Sequence, residues 1–148
     1  MVFKSFNQIV RHSLERFVQS QDGNIAVIFG IAVIPLISFV GAAIDYSRAN
    51  AARSSMQAAL DSTTLMVAKD LTNGAITTSQ ISAKAQAYFT ALYTNKDAKS
   101  IAITANYTAA SGTANATILV NGSATINTDF MNIIGIPTMT FGSSSTST

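Results

Sequence analysis

Hydrophobic positions are concentrated in one uninterrupted stretch, residues 25–44, whose sequence is IAVIFGIAVIPLISFVGAAI. The stretch contains no charged residue, and Ser38 is its only polar side chain. A helix of about 20 residues is about 30 Å long, which matches the thickness of a bilayer's hydrocarbon core. We therefore predict a membrane-spanning helix. The residues predicted to anchor it in lipid are Ile25, Ile28, Phe29, Val33, Ile34, Leu36, Ile37, Phe39, Val40 and Ile44.

Helical periodicity continues beyond this stretch. Residues 45–71 contain neither Gly nor Pro, and apolar or small side chains recur on one helical face: Met56, Leu60, Thr63, Val67 and Leu71. The pattern predicts one helix over residues 25–71, membranous in its first half and amphipathic in its second. Pro35 removes one backbone hydrogen bond within the first half and is expected to bend the helix there.

Residues 1–24 have the pattern of a short amphipathic tail. Its apolar side chains are helically spaced: Phe3, Phe6, Ile9, Val10, Leu14, Phe17 and Val18. Lys4, Arg11 and Arg16 lie between them. The pattern predicts a helix on the cytoplasmic membrane surface, with a disordered leader as the alternative. Residues 21–24 should interrupt the pattern and cap the long helix.

The rest of the chain predicts a small α+β domain over residues 45–142, followed by a Ser/Thr tail over 143–148. A turn at residues 72–74 precedes a second helix, whose apolar stripe is Ile81, Ala85, Tyr88, Phe89 and Leu92. Thr77 and Gln80 are spaced for a capping box at its start. Alternation with period two then predicts strands over residues 101–107 and 116–126, a short helical turn over 129–135 and a strand over 138–141. The fold class predicted is α+β and pilin-like, with the short helix packed on a small antiparallel sheet.

Composition narrows the function classes. Charged residues are 11% of the chain, the formal net charge is +2, and no Lys/Arg cluster is present, which argues against nucleic acid as a partner. The chain has no cysteine and one histidine, and its aspartates are scattered along the sequence. We therefore predict no catalytic site, no metal and no cofactor. A non-enzymatic membrane-anchored protein is the class that remains.

Several motifs resemble the TadE/TadG family of Flp (tight adherence) pilus assembly. They are Asp22-Gly23-Asn24-Ile25-Ala26-Val27-Ile28-Phe29, Pro35, Gly41-Ala42-Ala43-Ile44-Asp45-Tyr46, Arg53 with Gln57-Ala58-Ala59-Leu60-Asp61, Thr128-Asp129-Phe130-Met131 and Ile134-Gly135-Ile136. The chain looks like the N-terminal part of TadG-like proteins. The resemblance implies a single-pass protein of the bacterial inner membrane, with a cytoplasmic N-terminus and a periplasmic domain. Its implied partners are the lipid bilayer and other pilus-assembly proteins or pilins, and homo-oligomer formation is left open.

Two departures from related families leave alternatives open. Pilins cut by prepilin peptidase resemble one another in a Glu five residues after the cleavage Gly, whereas here Ile28 follows Gly23 at that distance. Larger TadG-like proteins carry a C-terminal von Willebrand A-type domain, so the chain is expected to be a short member or part of a longer one. The alternatives are a minor pilin or pseudopilin cut after Gly23, and a secreted soluble binding domain cut near Ala42.

Overall fold

The computed structural model describes the backbone of residues 21–148 and the side chains from Ile25 onward. Most of the predicted amphipathic tail therefore lies outside the described residues. The chain forms two compact units, divided between Gly41 and Ala42. We describe each unit separately.

The elements follow the predicted order. Helix α1 spans Gln21–Thr72, a 3₁₀ turn spans Thr78–Gln80, and helix α2 spans Ile81–Leu92. Strands β1 (Ala98–Thr108), β2 (Thr117–Asn127) and β3 (Thr138–Ser147) follow, with a 3₁₀ turn over Met131–Ile134 between β2 and β3. A long helix, a short second helix and a three-stranded antiparallel sheet confirm the predicted α+β class.

Helix α1 differs from the prediction at its start. The expected break over residues 21–24 is wrong, because these residues are already helical. A glycine inside a helix costs only about 1 kcal/mol relative to alanine, so Gly23 alone does not stop a long helix. Pro35 lies within α1, and the bend expected there stays a prediction.

Glycine ends α1 through a Schellman motif. Gly74 has φ +71°, the left-handed conformation that a residue without Cβ adopts at little cost. The N–H of Gly74 donates to the Leu71 carbonyl at 3.1 Å, and that of Ala75 donates to the Asp70 carbonyl at 2.8 Å. At the next helical start, the backbone N–H of Thr77 donates to Gln80 Oε1 at 2.9 Å, as the capping-box spacing predicts.

The sheet has β2 at its centre. Val120 of β2 pairs with Ala105 of β1 and with Ser145 of β3, both antiparallel. Alternate residues of β2 are buried, as predicted: Ile118, Val120, Gly122, Ala124 and Ile126. The face of the sheet that carries these residues is therefore the one that packs on the core.

A bulge changes the phase of β1. Lys99 pairs with Thr125, but Ala102 pairs with Ser123, so β1 carries one extra residue between these pairs. Ala98 and Ile103 consequently share the buried side, and Ile101 is exposed. The predicted alternation, which placed Ile101 on the face of Ile103, is wrong at this one position.

Strand β3 is longer than predicted. The expected Ser/Thr tail over residues 143–148 is wrong up to Ser147, which pairs with Ile118 of β2. The side chains of this stretch carry no hydrophobic alternation that would mark a strand. Its backbone hydrogen bonds to β2 define it instead, and these are set by the partner strand rather than by local sequence.

The core of residues 42–148 lies between α1, α2 and the inner face of the sheet. Met56, Leu60, Thr63 and Val67 are fully buried, and Leu71 is half-buried. The stripe of α2 contributes Ile81, Ala85 and Phe89, whereas Leu92 is exposed. Tyr88 Oη donates to Asp70 Oδ2 at 2.5 Å and so joins α2 to α1. The amphipathic second half of α1 is therefore the spine on which the sheet packs.

Gly122 marks the closest approach of α1 to the sheet. A Cβ built at Gly122 would lie 3.2 Å from a Leu60 Cδ and 3.1 Å from Ile103 Cδ1. We expect Gly122→Val to destabilise the folded chain by about 1–3 kcal/mol through overpacking, measured by chemical denaturation in detergent. Ser123→Val, at the neighbouring exposed position, is the matched control and should change stability by less than about 0.5 kcal/mol. Equal losses for the two variants would contradict the packing explanation.

Candidate membrane anchor and the contacts at its end

The predicted anchor residues all lie on α1 and are largely free of protein contacts. Val33 is half-buried, and the other nine are exposed, with Phe39 at 77%. Within the described residues, one helix is long and apolar enough to cross a membrane, and 6% of its most apolar window is buried. This differs from the core helix of a soluble protein, which is mostly buried.

Apolar side chains are exposed on every side of this part of α1. Val27, Ile28 and Phe29 are consecutive and all exposed, as are Leu36 and Ile37. Consecutive helical residues point about 100° apart, so one packing partner on a single face could not cover all of these side chains. A helix that is hydrophobic all round is typical of a membrane span.

Asp45 immediately follows the apolar stretch and is buried, with 2% of its surface exposed. Its carboxylate accepts hydrogen bonds from three backbone N–H groups at the start of the 3₁₀ turn over Met131–Ile134. Oδ1 accepts from Asp129 at 3.0 Å, and Oδ2 accepts from Phe130 at 2.9 Å and from Met131 at 2.8 Å. A buried acceptor with three donors fixes this turn against α1.

The turn itself is a closed structure at the end of the β2–β3 hairpin. Thr128 N donates to the Pro137 carbonyl at 3.0 Å, and Thr128 Oγ1 donates to the Ile136 carbonyl. Ile136 N donates to the Met131 carbonyl at 3.0 Å, and Gly135 adopts φ +88° to make this return. We call residues 130–136 the hairpin tip.

Arg48 organises the charges beside the tip. Its Nη1 donates to Asp129 Oδ2 at 2.5 Å, and its Nη2 lies 3.4 Å from Asp97 Oδ2. Asp45 Oδ1 lies 3.8 Å from Nη1. Arg48 is thus a bridge from α1 to Asp97, which precedes β1, and to Asp129, which precedes the hairpin tip.

Asp45 and Arg48 are both held in their charged forms. Burial opposes ionisation of Asp45, but the N–H donors of Met131, Asp129 and Phe130 and the charge of Arg48 together hold the pKa of Asp45 below its usual value. Burial likewise opposes the charge of Arg48, and the carboxylates of Asp129 and Asp97 outweigh it, so the pKa of Arg48 is raised. Asp45 and Arg48 therefore both keep their charges at neutral pH.

This cluster has no local signal in the sequence, because its aspartates are far apart in the chain. Asp45, Asp97 and Asp129 meet only through tertiary packing. One signal was available: Asp45-Tyr46 and Thr128-Asp129-Phe130-Met131 were both among the motifs that resemble one family. The structure places these two motifs in direct hydrogen-bonded contact.

The remaining chemistry of the described residues is sparse. Among the side chains that the structure describes, residues 25–148, no group of three or more metal-ligating residues is positioned to hold a metal ion. A shallow cavity of about 200 Å³ lies near the far end of α1, lined partly by Leu71, Tyr107 and Ile118. The Asp45 cluster holds the hairpin tip through hydrogen bonds and ion pairs that satisfy its own groups.

Comparison with known proteins gives a family match over most of α1. Residues 23–70 match the family described as Flp pilus-assembly TadE/G-like, named Tad. Searches of curated proteins and of solved structures found no match. The matched segment contains the predicted membrane span and Asp45, while the hairpin tip lies outside it. The apolar α1 and the family match together fit a pilus-related membrane protein. The resemblance of this chain to the TadE/TadG family of Flp pilus assembly is thus confirmed by a family match over residues 23–70.

Proposed function

We propose that this chain is a non-enzymatic, membrane-anchored component of Flp/Tad-type pilus assembly or adhesion. Residues 25–44 would span the bacterial inner membrane once, with residues 1–24 in the cytoplasm and residues 45–148 in the periplasm. The observation that carries the proposal is the exposure of apolar side chains on all sides of α1 within a segment that matches a pilus-assembly family.

The free energy of insertion supports retention in the membrane. Residues 25–44 contain twelve Ile, Val, Leu or Phe residues. At about −0.3 to −0.6 kcal/mol each, they contribute about −4 to −7 kcal/mol before Pro35, Ser38 and the glycines reduce the total. The short basic tail favours the cytoplasmic side, and a long weakly charged domain is translocated largely regardless of its charge.

The partners follow from the family rather than from a ligand site. Other pilus-assembly proteins or pilins are the proposed protein partners, and the lipid bilayer is the medium of α1. Assembly of several copies stays a prediction. The absence of Glu at Ile28 favours membrane retention over incorporation in a filament.

The N-terminus of the mature protein tests this proposal. We expect intact mass and N-terminal sequencing of the membrane-purified protein to show an uncut chain that begins at Met1. A start at Asn24 would instead support a minor pilin, and a start near Ala43 would support a secreted domain and contradict both membrane roles. Ala42→Val is a useful control, because signal peptidase requires small residues before its cut. An uncut protein should show only the mass change of the substitution.

A further inference from the structure

The hairpin tip presents apolar side chains to solvent. Ile133 is 82% exposed, and Phe130, Ile134 and Ile136 are also exposed. The tip contains no charged residue, and no charge occurs between Phe130 and the end of the given sequence. Four exposed apolar side chains within seven residues make this part of the surface strongly hydrophobic, which is costly in water unless something covers it.

The start of the hairpin tip is bonded to α1 at Asp45, the residue that follows the predicted span. Successive residues of β2 contact positions of α1 that lie progressively closer to the N-terminal end of the helix. Gly122 lies against Leu60, and Ile126 packs with Ala49 and Ala52. The next contact in this direction is Asp45 with the start of the tip. Asp45 immediately follows Ile44, the last residue of the predicted span.

We propose that the hairpin tip inserts into the headgroup layer of the same membrane, as a second lipid contact of this chain. This proposal rests on the proposed function, because it requires α1 to leave the bilayer near Ile44. The headgroup and interfacial layer adds roughly 5–8 Å on each side of the hydrocarbon core. A turn bonded to the first residue after the span lies within that depth.

The backbone and the neighbouring side chains of the tip suit a membrane interface. Internal bonds occupy several of its N–H groups: Ile133 N donates to the Phe130 carbonyl at 3.1 Å, and Gly135 N donates to the Asn132 carbonyl at 3.0 Å. Such pairing lowers the cost of moving a backbone out of water. The two anionic groups beside the tip, Asp45 and Asp129, both lie within ion-pair distance of Arg48. Tyr46 is exposed one residue beyond Asp45, where aromatic residues are enriched in membrane proteins.

A single tryptophan reports where the tip lies, because the chain contains none. The full chain carrying Ile133→Trp is reconstituted into phosphatidylcholine vesicles with a doxyl quencher near the top of the acyl chains. We expect the lipid quencher to reduce its emission about twofold, and aqueous iodide to quench it weakly, since an interfacial indole is close to lipid and shielded from water. Ile133 is exposed, so the substitution leaves the core intact.

Two matched variants make the outcomes distinguishable. Leu65→Trp is a control at a 66% exposed residue that lies about 30 Å along α1 from Asp45; it should be quenched by iodide and not by the lipid. Phe39→Trp lies within the span and should be quenched by the lipid.

If Phe39→Trp responds to the lipid and Ile133→Trp does not, the tip proposal is overturned while the anchor stands. Shielding of Ile133→Trp from both quenchers would point to a protein partner or a second copy instead. If Phe39→Trp does not respond to the lipid, the anchor and the tip proposal fail together.

Discussion

Asp45→Asn is expected to lower the thermal midpoint of the folded domain by more than about 5 °C, because a buried acceptor of three N–H groups is replaced by an amide. The amide keeps the size of the carboxylate but has one oxygen, so its NH₂ group faces a backbone donor. The hairpin tip would lose its attachment to α1. Thermal unfolding of the full chain in detergent, followed by circular dichroism, measures the effect.

Asp61→Asn is the matched control for this variant. Asp61 lies on the same helix but is exposed, and its Oδ1 accepts from Gln57 Nε2 at 2.8 Å. We expect its midpoint to change little, as for most exposed substitutions. Amide hydrogen exchange adds a local readout: the N–H groups of residues 129–131 should exchange faster in Asp45→Asn only. Equal protection of these amides in both variants would show that the Asp45 contacts do not hold the tip.

The lowered pKa of Asp45 gives the same prediction a pH dependence. A group whose pKa is lower in the folded state stabilises that state fully above its unfolded pKa, about 3.9 for aspartate. This contribution is lost as the pH falls below that value through the folded pKa. The difference in midpoint between wild type and Asp45→Asn should therefore be constant near pH 7 and shrink in acid below about pH 4. A difference that grows in acid would contradict the lowered pKa.

Ile34→Arg is expected to release the chain from membranes. Arg at the centre of a span costs about 2.5–3.5 kcal/mol, and the loss of Ile adds about 0.5 kcal/mol. The sum, about 3–4 kcal/mol, removes more than half of the insertion free energy contributed by the apolar residues of the span, which corresponds to a change of several hundredfold in partitioning. Carbonate extraction of membranes, followed by quantification of pellet and supernatant, measures it.

Leu65→Arg provides the matched control for the span. Leu65 is an exposed apolar residue of α1 at a position outside the predicted bilayer. Its substitution by Arg should leave the protein in the carbonate-washed pellet, as in wild type. If Ile34→Arg also remains in the pellet, residues 25–44 do not span the membrane. If both variants are released, the protein is held by its domain rather than by the apolar stretch.

Much of the fold follows from local sequence pattern. Two local patterns predict one long helix: the unbroken apolar residues before Asp45 and the apolar stripe from Met56 to Val67. The structure has a single helix over this region. Period-two alternation similarly predicts β2, whose alternate residues are buried. Local pattern succeeds at these places because helix and strand periods decide which side chains share a face.

Other features depend on partners that are distant in the chain. The strand over residues 143–147 has no hydrophobic alternation and exists because β2 offers backbone donors and acceptors to it. The bulge that turns Ile101 outward is set by the pairing of β1 with β2. Neither feature has a strong local signal, because backbone hydrogen bonds carry little information about side-chain type.

The anchor and the Asp45 cluster also differ in this way: local sequence predicts the first, and tertiary contacts create the second. Local sequence predicts the membrane-competent helix and the resemblance to the TadE/TadG family, because uninterrupted hydrophobicity and short motifs are local properties of the chain. Only the tertiary structure decided that Asp45 binds the backbone of residues 129–131 and that Arg48 bridges Asp97 and Asp129. More than eighty residues separate Asp45 from the hairpin tip, and their contact depends on the antiparallel path of β2 along α1. That packing bonds the start of the exposed apolar tip to Asp45.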